Sequence, residues 1–115
     1  GAVPTLLVPA EDHVLDNGCY PGSDWIEWAF EWSEVPGASL YHLYVMGPTA
    51  TFPLVNCPVV ATEFEYRSVG YVAGHNLFGW TWKVRAKVGE VWQGWTVPRV
   101  FHVEPRNTDC SSSAP

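Results

Sequence analysis

The sequence is poor in charge, and above all in positive charge. Charged residues make up 16% of the 115 residues, and six lysines and arginines stand against twelve aspartates and glutamates, a net charge of −6. Typical soluble domains carry about 25% charged residues. Binding to nucleic acid through phosphate neutralisation is disfavoured, because that mode needs clustered cations. No apolar run approaches the ~20 residues of a membrane-spanning helix, so we expect no membrane insertion.

Motifs for catalysis and for metal binding are also missing. The four histidines show no HxH or HExxH spacing, and the chain has no GxSxG nucleophile motif and no glycine-rich phosphate loop. The three cysteines, Cys19, Cys57 and Cys110, form no CxxC pair, so a zinc site is not supported. Their odd number allows one disulfide and one free thiol, and the pairing depends on the fold. We therefore predict a protein that is not an enzyme and that has no cofactor and no metal site.

Aromatic residues, turn residues and short alternating segments are abundant instead. Aromatic residues make up 15% of the chain, with seven tryptophans, and ten glycines and ten prolines are spread along it. Segment 78–88 alternates an apolar set with a polar or cationic set: Trp80, Trp82, Val84 and Ala86 against Thr81, Lys83, Arg85 and Lys87. Such period-2 alternation indicates a half-buried β-strand.

Six further segments predict strands of the same kind. They are 1–16 (an edge strand whose apolar part is 5–8), 24–32, 40–46, 51–57, 61–66 and 91–103, and turn signals such as Asn17-Gly18, Pro36-Gly37 and Gly89-Glu90 separate them. Seven short strands at this spacing predict an all-β fold, a seven-stranded antiparallel immunoglobulin-like sandwich. Four tryptophans alternate into its predicted core: Trp28, Trp32, Trp80 and Trp82.

We assign residues 1–104 to this one domain and residues 105–115 to a polar linker or tail. Residues 11–23 are interpreted as a turn-rich link after a first edge strand. The chain begins Gly1-Ala2 without a methionine, so we interpret it as a mature or excised piece of something larger.

Four segments follow one another in an order and spacing known from one family: FEWSEVPGA (30–38), YHLYV (41–45), GWTWKVRA (79–86) and WTVPRVFHV (95–103). They resemble fibronectin type III domains, most closely the divergent versions in secreted and cell-surface proteins of bacteria. The resemblance covers about residues 4 to 104. It implies strands A, B and E in one sheet and C′, C, F and G in the other. It also implies a non-catalytic module, since that family consists mainly of spacers and binding modules.

The resemblance also bears on the cysteines. It places the turn after strand A and the end of strand G at the same pole, and so implies a Cys19–Cys110 disulfide with Cys57 left out. The alternative is three reduced thiols in a cytosolic protein. If the disulfide forms, the compartment is oxidising. We expect the protein to be secreted or at the cell surface.

The same topology implies outer faces of opposite charge. Four glutamates would share one face (Glu27, Glu31, Glu63 and Glu65), and three cations would lie beside His42 and Tyr44 on the other (Lys83, Arg85 and Lys87). Both are expected to be solvated sheet faces. The alternatives are docking to a neighbouring module and a calcium site, although calcium needs six to eight oxygens from a shaped loop.

The segment WQGWT, residues 92–96, resembles the WSxWS motif of cytokine-receptor fibronectin domains, with Gln and Thr in place of the two serines. The resemblance implies that Trp92 and Trp95 interleave with the cations of strand F, in cation–π contacts. The alternatives are ordinary partial burial of the two tryptophans and a ligand-binding platform, which would consist of Trp92, Trp95, Tyr44 and Arg85.

For function, we predict a non-catalytic extracellular module, either a spacer or a protein-interaction domain of a larger multidomain protein. Its partners would be neighbouring domains of the same polypeptide or another protein. The alternative is a carbohydrate-binding module attached to a polysaccharide-active or adhesion protein, with a glycan as the ligand.

Overall fold

The structure, a computed structural model, describes residues 2–18 and 25–106. In this range the chain forms β-strands and one three-residue 3₁₀ helix, Gly74–Asn76. The strands are β1 (Leu6–Val8), β2 (His13–Leu15), β3 (Trp25–Trp32), β4 (Ala38–Met46), β5 (Val55–Val59), β6 (Glu63–Val69), β7 (Phe78–Val88), β8 (Val91–Trp92) and β9 (Arg99–Val103). Over these residues we find no helix with the length and apolar character needed to span a membrane.

The strands form two sheets that face each other as a sandwich. The smaller sheet has the order β1-β3-β6, and the larger has the order β2-β9-β7-β4-β5 with β8 paired to β7. The predicted all-β sandwich is thus confirmed. As expected, β6 pairs with β3, and the lysine- and arginine-rich strand β7 lies between β4 and β9.

Aromatic side chains join the two sheets. All four tryptophans assigned to the core are buried, and so are the other inward residues of β7. Trp28 of β3 packs edge-to-face against Trp80 of β7 and Phe101 of β9, with ring centroids 5.3 and 5.6 Å apart. Phe30 packs in the same way against Trp82, at 5.3 Å. The period-2 pattern therefore predicts correctly which side chains hold the sandwich together.

The first predicted strand is divided between the two sheets. β1 pairs antiparallel with β3, whereas β2 pairs parallel with β9 in the larger sheet. Pro9 has no N–H to continue the first ladder, and Asp12 adopts a positive φ of 62° in the turn between the two strands. Two parts of the prediction are therefore wrong: residues 11–23 are not only a link, and the sandwich is not wholly antiparallel.

The last predicted strand is also divided. β8 ends at Trp92 and β9 begins at Arg99, so the described residues contain nine strands rather than seven. Pro98 cannot donate to a ladder. Between the two strands, the N–H groups of Gln93 and Thr96 still donate to carbonyl oxygens of β7, at 2.7 and 2.9 Å. The segment 93–98 therefore follows β7 without forming a regular ladder.

Two shorter strands lie later in the chain than predicted. The segment predicted at 51–57 forms β5 at Val55–Val59, and the segment predicted at 61–66 forms β6 at Glu63–Val69. Pro53 precedes β5, while Pro58 lies within it. Within residues 2–18 and 25–106, β5 pairs only with β4, and an outer strand tolerates a proline because one side of it needs no ladder hydrogen bonds.

The described chain enters the sandwich at one end and leaves it at the other. Thr5 exchanges hydrogen bonds with Ser33, which follows β3 and begins the turn into β4. The N–H of Val103, at the end of β9, donates to the carbonyl of Leu77 at the start of β7 (2.7 Å). Because β7 runs antiparallel to β4, the start of β7 and the start of β4 lie at opposite ends.

Candidate functional site

The candidate site lies on the outer face of the larger sheet. Three outward residues of β7 supply cations: Lys83, Arg85 and Lys87. The register places Tyr44 of β4 opposite Lys83 and Trp92 of β8 opposite Lys87. Trp95 follows in the segment that runs along β7. We call these six residues the cation–aromatic stack; in spatial order they are Lys87, Trp92, Arg85, Trp95, Lys83 and Tyr44.

The cations and rings of the stack alternate at contact distance. The Arg85 guanidinium carbon lies 4.7 Å from the Trp92 ring centroid and 4.6 Å from that of Trp95. The Lys83 ammonium lies 4.5 Å from Trp95 and 5.0 Å from Tyr44. Lys87 completes the series at 5.7 Å from Trp92. The predicted cation–π contacts between β7 and the WQGWT segment are thus confirmed.

Each indole of the stack contacts two cations. Lys87 and Arg85 both lie over Trp92, and Arg85 and Lys83 both lie over Trp95. Both indoles are half-buried. A sugar that stacked on either ring would therefore compete with cations that already contact it.

His42 holds the central cation of the stack. Its Nδ1 accepts a hydrogen bond from Nε of Arg85 at 3.1 Å, and its Nε2 lies 2.5 Å from Oδ1 of Asn56 on β5. Since Nδ1 accepts from Arg85, the hydrogen is on Nε2, which donates to Asn56. The imidazole also lies 4.8 Å from the Trp95 ring. The sequence predicted that His42 lies on this face, but it did not predict the hydrogen bond from Arg85 to His42.

Thr96 fixes the segment that carries the two tryptophans. It is one of the few buried polar residues of the described chain. Its hydroxyl oxygen accepts the N–H of Val84 at 3.1 Å, and its own N–H donates to the Val84 carbonyl at 2.9 Å. The threonine at the last position of the WQGWT segment thereby pairs with the backbone of β7, where the regular ladder is interrupted.

The four residues predicted as a ligand platform are thus brought together: Trp92, Trp95, Tyr44 and Arg85. They contact one another within the cation–aromatic stack. Their role in ligand binding stays a prediction.

The opposite outer face is acidic, but less uniformly than the prediction. Glu31 lies opposite Glu63, and Glu65 lies opposite Ala29. Glu27, however, forms a salt bridge with Arg67 (3.0 Å), a cation that the prediction left out of this face. Within residues 2–18 and 25–106, no group of three or more histidine, cysteine or acidic side chains is arranged to hold a metal ion.

The predicted disulfide partners, Cys19 and Cys110, lie outside the described residues, so their bond stays a prediction. Cys57 lies half-buried on the outer strand β5 as a free thiol. Desolvation by burial raises the pKa of the Cys57 thiol.

Asn17 is a structural residue that sequence reasoning missed. The Asn17-Gly18 pair was interpreted only as a turn signal, and Gly18 does adopt a positive φ of 78°. The Asn17 side chain is nonetheless fully buried. Its amide donates to the carbonyl of Val72 at 2.9 Å and accepts the Val72 N–H at 2.6 Å, so it joins two loops in the manner of a strand pair. A partner 55 residues away leaves no local signal in the sequence.

Comparison of the chain with protein-family models, curated proteins and solved structures found no match. The resemblance to fibronectin type III domains therefore rests on the four sequence segments alone.

Proposed function

We propose that the protein is a non-catalytic extracellular module with fibronectin type III topology, which serves as a spacer or protein-interaction domain within a larger multidomain protein. The observation that carries this proposal is the position of the two ends. Thr5 lies at one end of the sandwich and Val103 at the other. A domain entered and left at opposite ends holds whatever flanks it apart.

The cation–aromatic stack supports the same proposal. A carbohydrate-binding module needs flat aromatic faces open to solvent, whereas Trp92 and Trp95 are half-buried and each already contacts two cations. The stack fastens the segment 93–98 to β7 and so stiffens the larger sheet. Stiffness along the long strands is the property that a spacer requires.

The spacer role is tested by measuring how constant the end-to-end distance is. Fluorescent proteins are fused to both ends of the chain, and energy transfer is recorded on single molecules. We expect one narrow population that broadens when urea unfolds the chain. A glycine-serine linker of the same length is the control, and it should give a broad distribution at all urea concentrations. A broad or divided distribution for the native chain would contradict the spacer role.

The carbohydrate alternative is tested separately. Tryptophan fluorescence of the chain is titrated with a panel of soluble polysaccharides, and any response is compared with that of Trp92→Ala. We expect no shift with any member of the panel. A saturable shift that Trp92→Ala abolishes would show that the stack opens to a glycan, and would replace the proposed function by the carbohydrate alternative.

A further inference from the structure

The outer strand β6 differs from the other outer strands of the sandwich. β1, β2 and β8 have three residues or fewer, and β5 contains Pro58. β6 has seven residues, Glu63–Val69, without proline or glycine, and in the described part of the chain it pairs only with β3. A long, regular outer strand is a template for another strand, and proteins usually protect such strands with proline, shortness or charge.

The free side of β6 presents backbone groups at alternate residues. The N–H of Trp32 donates to the carbonyl of Thr62 at 3.0 Å, so the backbone of Thr62 faces β3. Along an antiparallel strand, the N–H and C=O groups of successive residues point alternately toward one neighbouring strand and toward the other. Phe64 and Tyr66 therefore also bond to β3, while the N–H and C=O of Glu63 and Glu65 point away from it. An added strand would bond to these groups.

The side chains beside this edge define the charge of its partner. Glu31, Glu63 and Glu65 are exposed on the outer face of the smaller sheet. Among the described residues, the salt bridge of this face joins Arg67 to Glu27, and none involves those three glutamates. A strand added at β6 would lay every second side chain beside these carboxylates, so cationic side chains are favoured there.

The inward side chains of the same edge belong to the core. Phe64 and Tyr66 are half-buried and pack against the buried residues of the sandwich. The inward side chains of an added strand would lie beside these two rings, so apolar side chains are favoured there. A cavity of about 380 Å³ with a mixed polar and apolar lining lies at the C-terminal end of β6, between Tyr66 and the loop 70–73.

We propose that β6 is a docking site for an extended peptide segment of a partner protein, in which cationic residues alternate with apolar ones. The segment adds a fourth strand to the smaller sheet. Backbone hydrogen bonds to Glu63 and Glu65 supply the pairing, the carboxylates select the cations, and the apolar side chains pack beside Phe64 and Tyr66. This inference rests on the proposed function, because it names the partner chemistry of a protein-interaction domain.

The test uses a capped peptide, WKVRAKV, the sequence of residues 82–88, which has the required alternation. It is added to the full, isotope-labelled chain, and hydrogen exchange of the backbone amides is followed by NMR. We expect the Glu63 and Glu65 amides to exchange fast in the free chain and slowly with the peptide. The Phe64 and Tyr66 amides should be protected in both states. Ionic adsorption without strand pairing would not slow exchange at alternate residues.

Charge reversal tests the selection of cations. In the double variant Glu63→Lys/Glu65→Lys, we expect affinity for the peptide to fall about tenfold, because two exposed attractions become repulsions. The matched control is Glu34→Lys/Glu90→Lys, which changes the net charge equally at exposed turn positions outside the strands. Its affinity should stay within about twofold of the parent chain. Higher salt should weaken the parent complex as well.

Several results would overturn the inference. They are slow exchange of the Glu63 and Glu65 amides without peptide, equal binding of the acidic peptide WEVEAEV, and equal loss of affinity in the two double variants. Concentration-dependent protection of β6 without peptide would instead identify a second copy of the chain as the occupant. None of these results changes the end-to-end distance or the polysaccharide titration, so the inference and the proposed function fail separately.

Discussion

Replacement of Arg85 by methionine is the sharpest perturbation of the cation–aromatic stack. Methionine keeps an unbranched apolar chain, so the contact of the arginine stem with its neighbours is largely retained while the charge is lost. Arg85 is the residue to choose because it contacts both indoles and also bonds to His42.

The size of the effect follows from those three contacts. A cation–π contact at a partly exposed site is worth about 0.5–1 kcal/mol, and a typical intramolecular hydrogen bond contributes about 0.5–1.5 kcal/mol. We therefore expect Arg85→Met to lower the free energy of unfolding by about 2 kcal/mol. For a domain of this size that corresponds to a fall in Tm of roughly 10 °C.

Lys87→Met is the matched control. Lys87 lies at the end of the stack, 5.7 Å from Trp92, and its salt bridge with the exposed Glu90 is 3.7 Å long. An exposed pair of this kind contributes little, so we expect a loss of about 0.5 kcal/mol. Both variants are unfolded in urea with tryptophan fluorescence as the readout, and their denaturant dependence should match that of the parent chain.

A double-mutant cycle isolates the contact itself. Arg85→Met is combined with Trp95→Leu, and we expect a coupling energy of about 1 kcal/mol between the two positions. If Arg85→Met and Lys87→Met lose the same free energy, or if the coupling is zero, the stack does not stabilise the larger sheet. The larger sheet would then gain no stiffness from the stack.

Three further perturbations address other parts of the sandwich. Asn17→Ala should lower the free energy of unfolding by about 2–3 kcal/mol, because it leaves both backbone groups of Val72 without their partner; a loss under about 0.5 kcal/mol in urea unfolding would contradict this. Glu90→Gly should raise the free energy of unfolding by about 1 kcal/mol, because Glu90 adopts a φ of 66°, which costs a side-chain-bearing residue more than glycine. A decrease in the free energy of unfolding would show that the salt bridge of Glu90 with Lys87 stabilises the fold by more than this backbone strain costs. Burial raises the pKa of Cys57, so, with the other two cysteines replaced by serine, a disulfide reagent should react more slowly with the folded chain than with the unfolded one. Stability should also fall as pH rises through the ordinary thiol pKa of about 8.5, because the unfolded chain then loses its proton first; equal rates and a flat pH profile would contradict the raised pKa.

The long strands could be predicted from the sequence because their signal is local. In β7 every inward residue follows the alternation, and the cations of the outer face follow from the same count. The cation–aromatic stack could also be predicted, since the spacing of Trp92 and Trp95 resembles a motif whose tryptophans interleave with cations of the neighbouring strand. Local periodicity and one motif are enough when the contacts lie between neighbours in the same sheet.

Elements that depend on a distant partner could not be predicted in this way. β2 has three residues, and it is a strand only because β9, about 90 residues later, lies beside it. Asn17 is buried only because Val72 lies opposite. The free side of β6 is likewise a property of the assembled sheet, since alternation along Glu63–Val69 does not reveal whether one neighbour or two are present.

The two outer faces of the sandwich use charge in different ways. The cations of β7 are engaged by Trp92, Trp95 and Tyr44, and this contact is most useful where the ladder of the last strand is interrupted between Trp92 and Arg99. Side-chain stacking there adds to the two backbone hydrogen bonds from Gln93 and Thr96 to β7. The carboxylates beside β6 have no such engagement among the described residues, and they lie next to unpaired backbone. The cation–aromatic stack is therefore better explained as a structural feature, and the acidic edge at β6 is the better candidate for binding a partner.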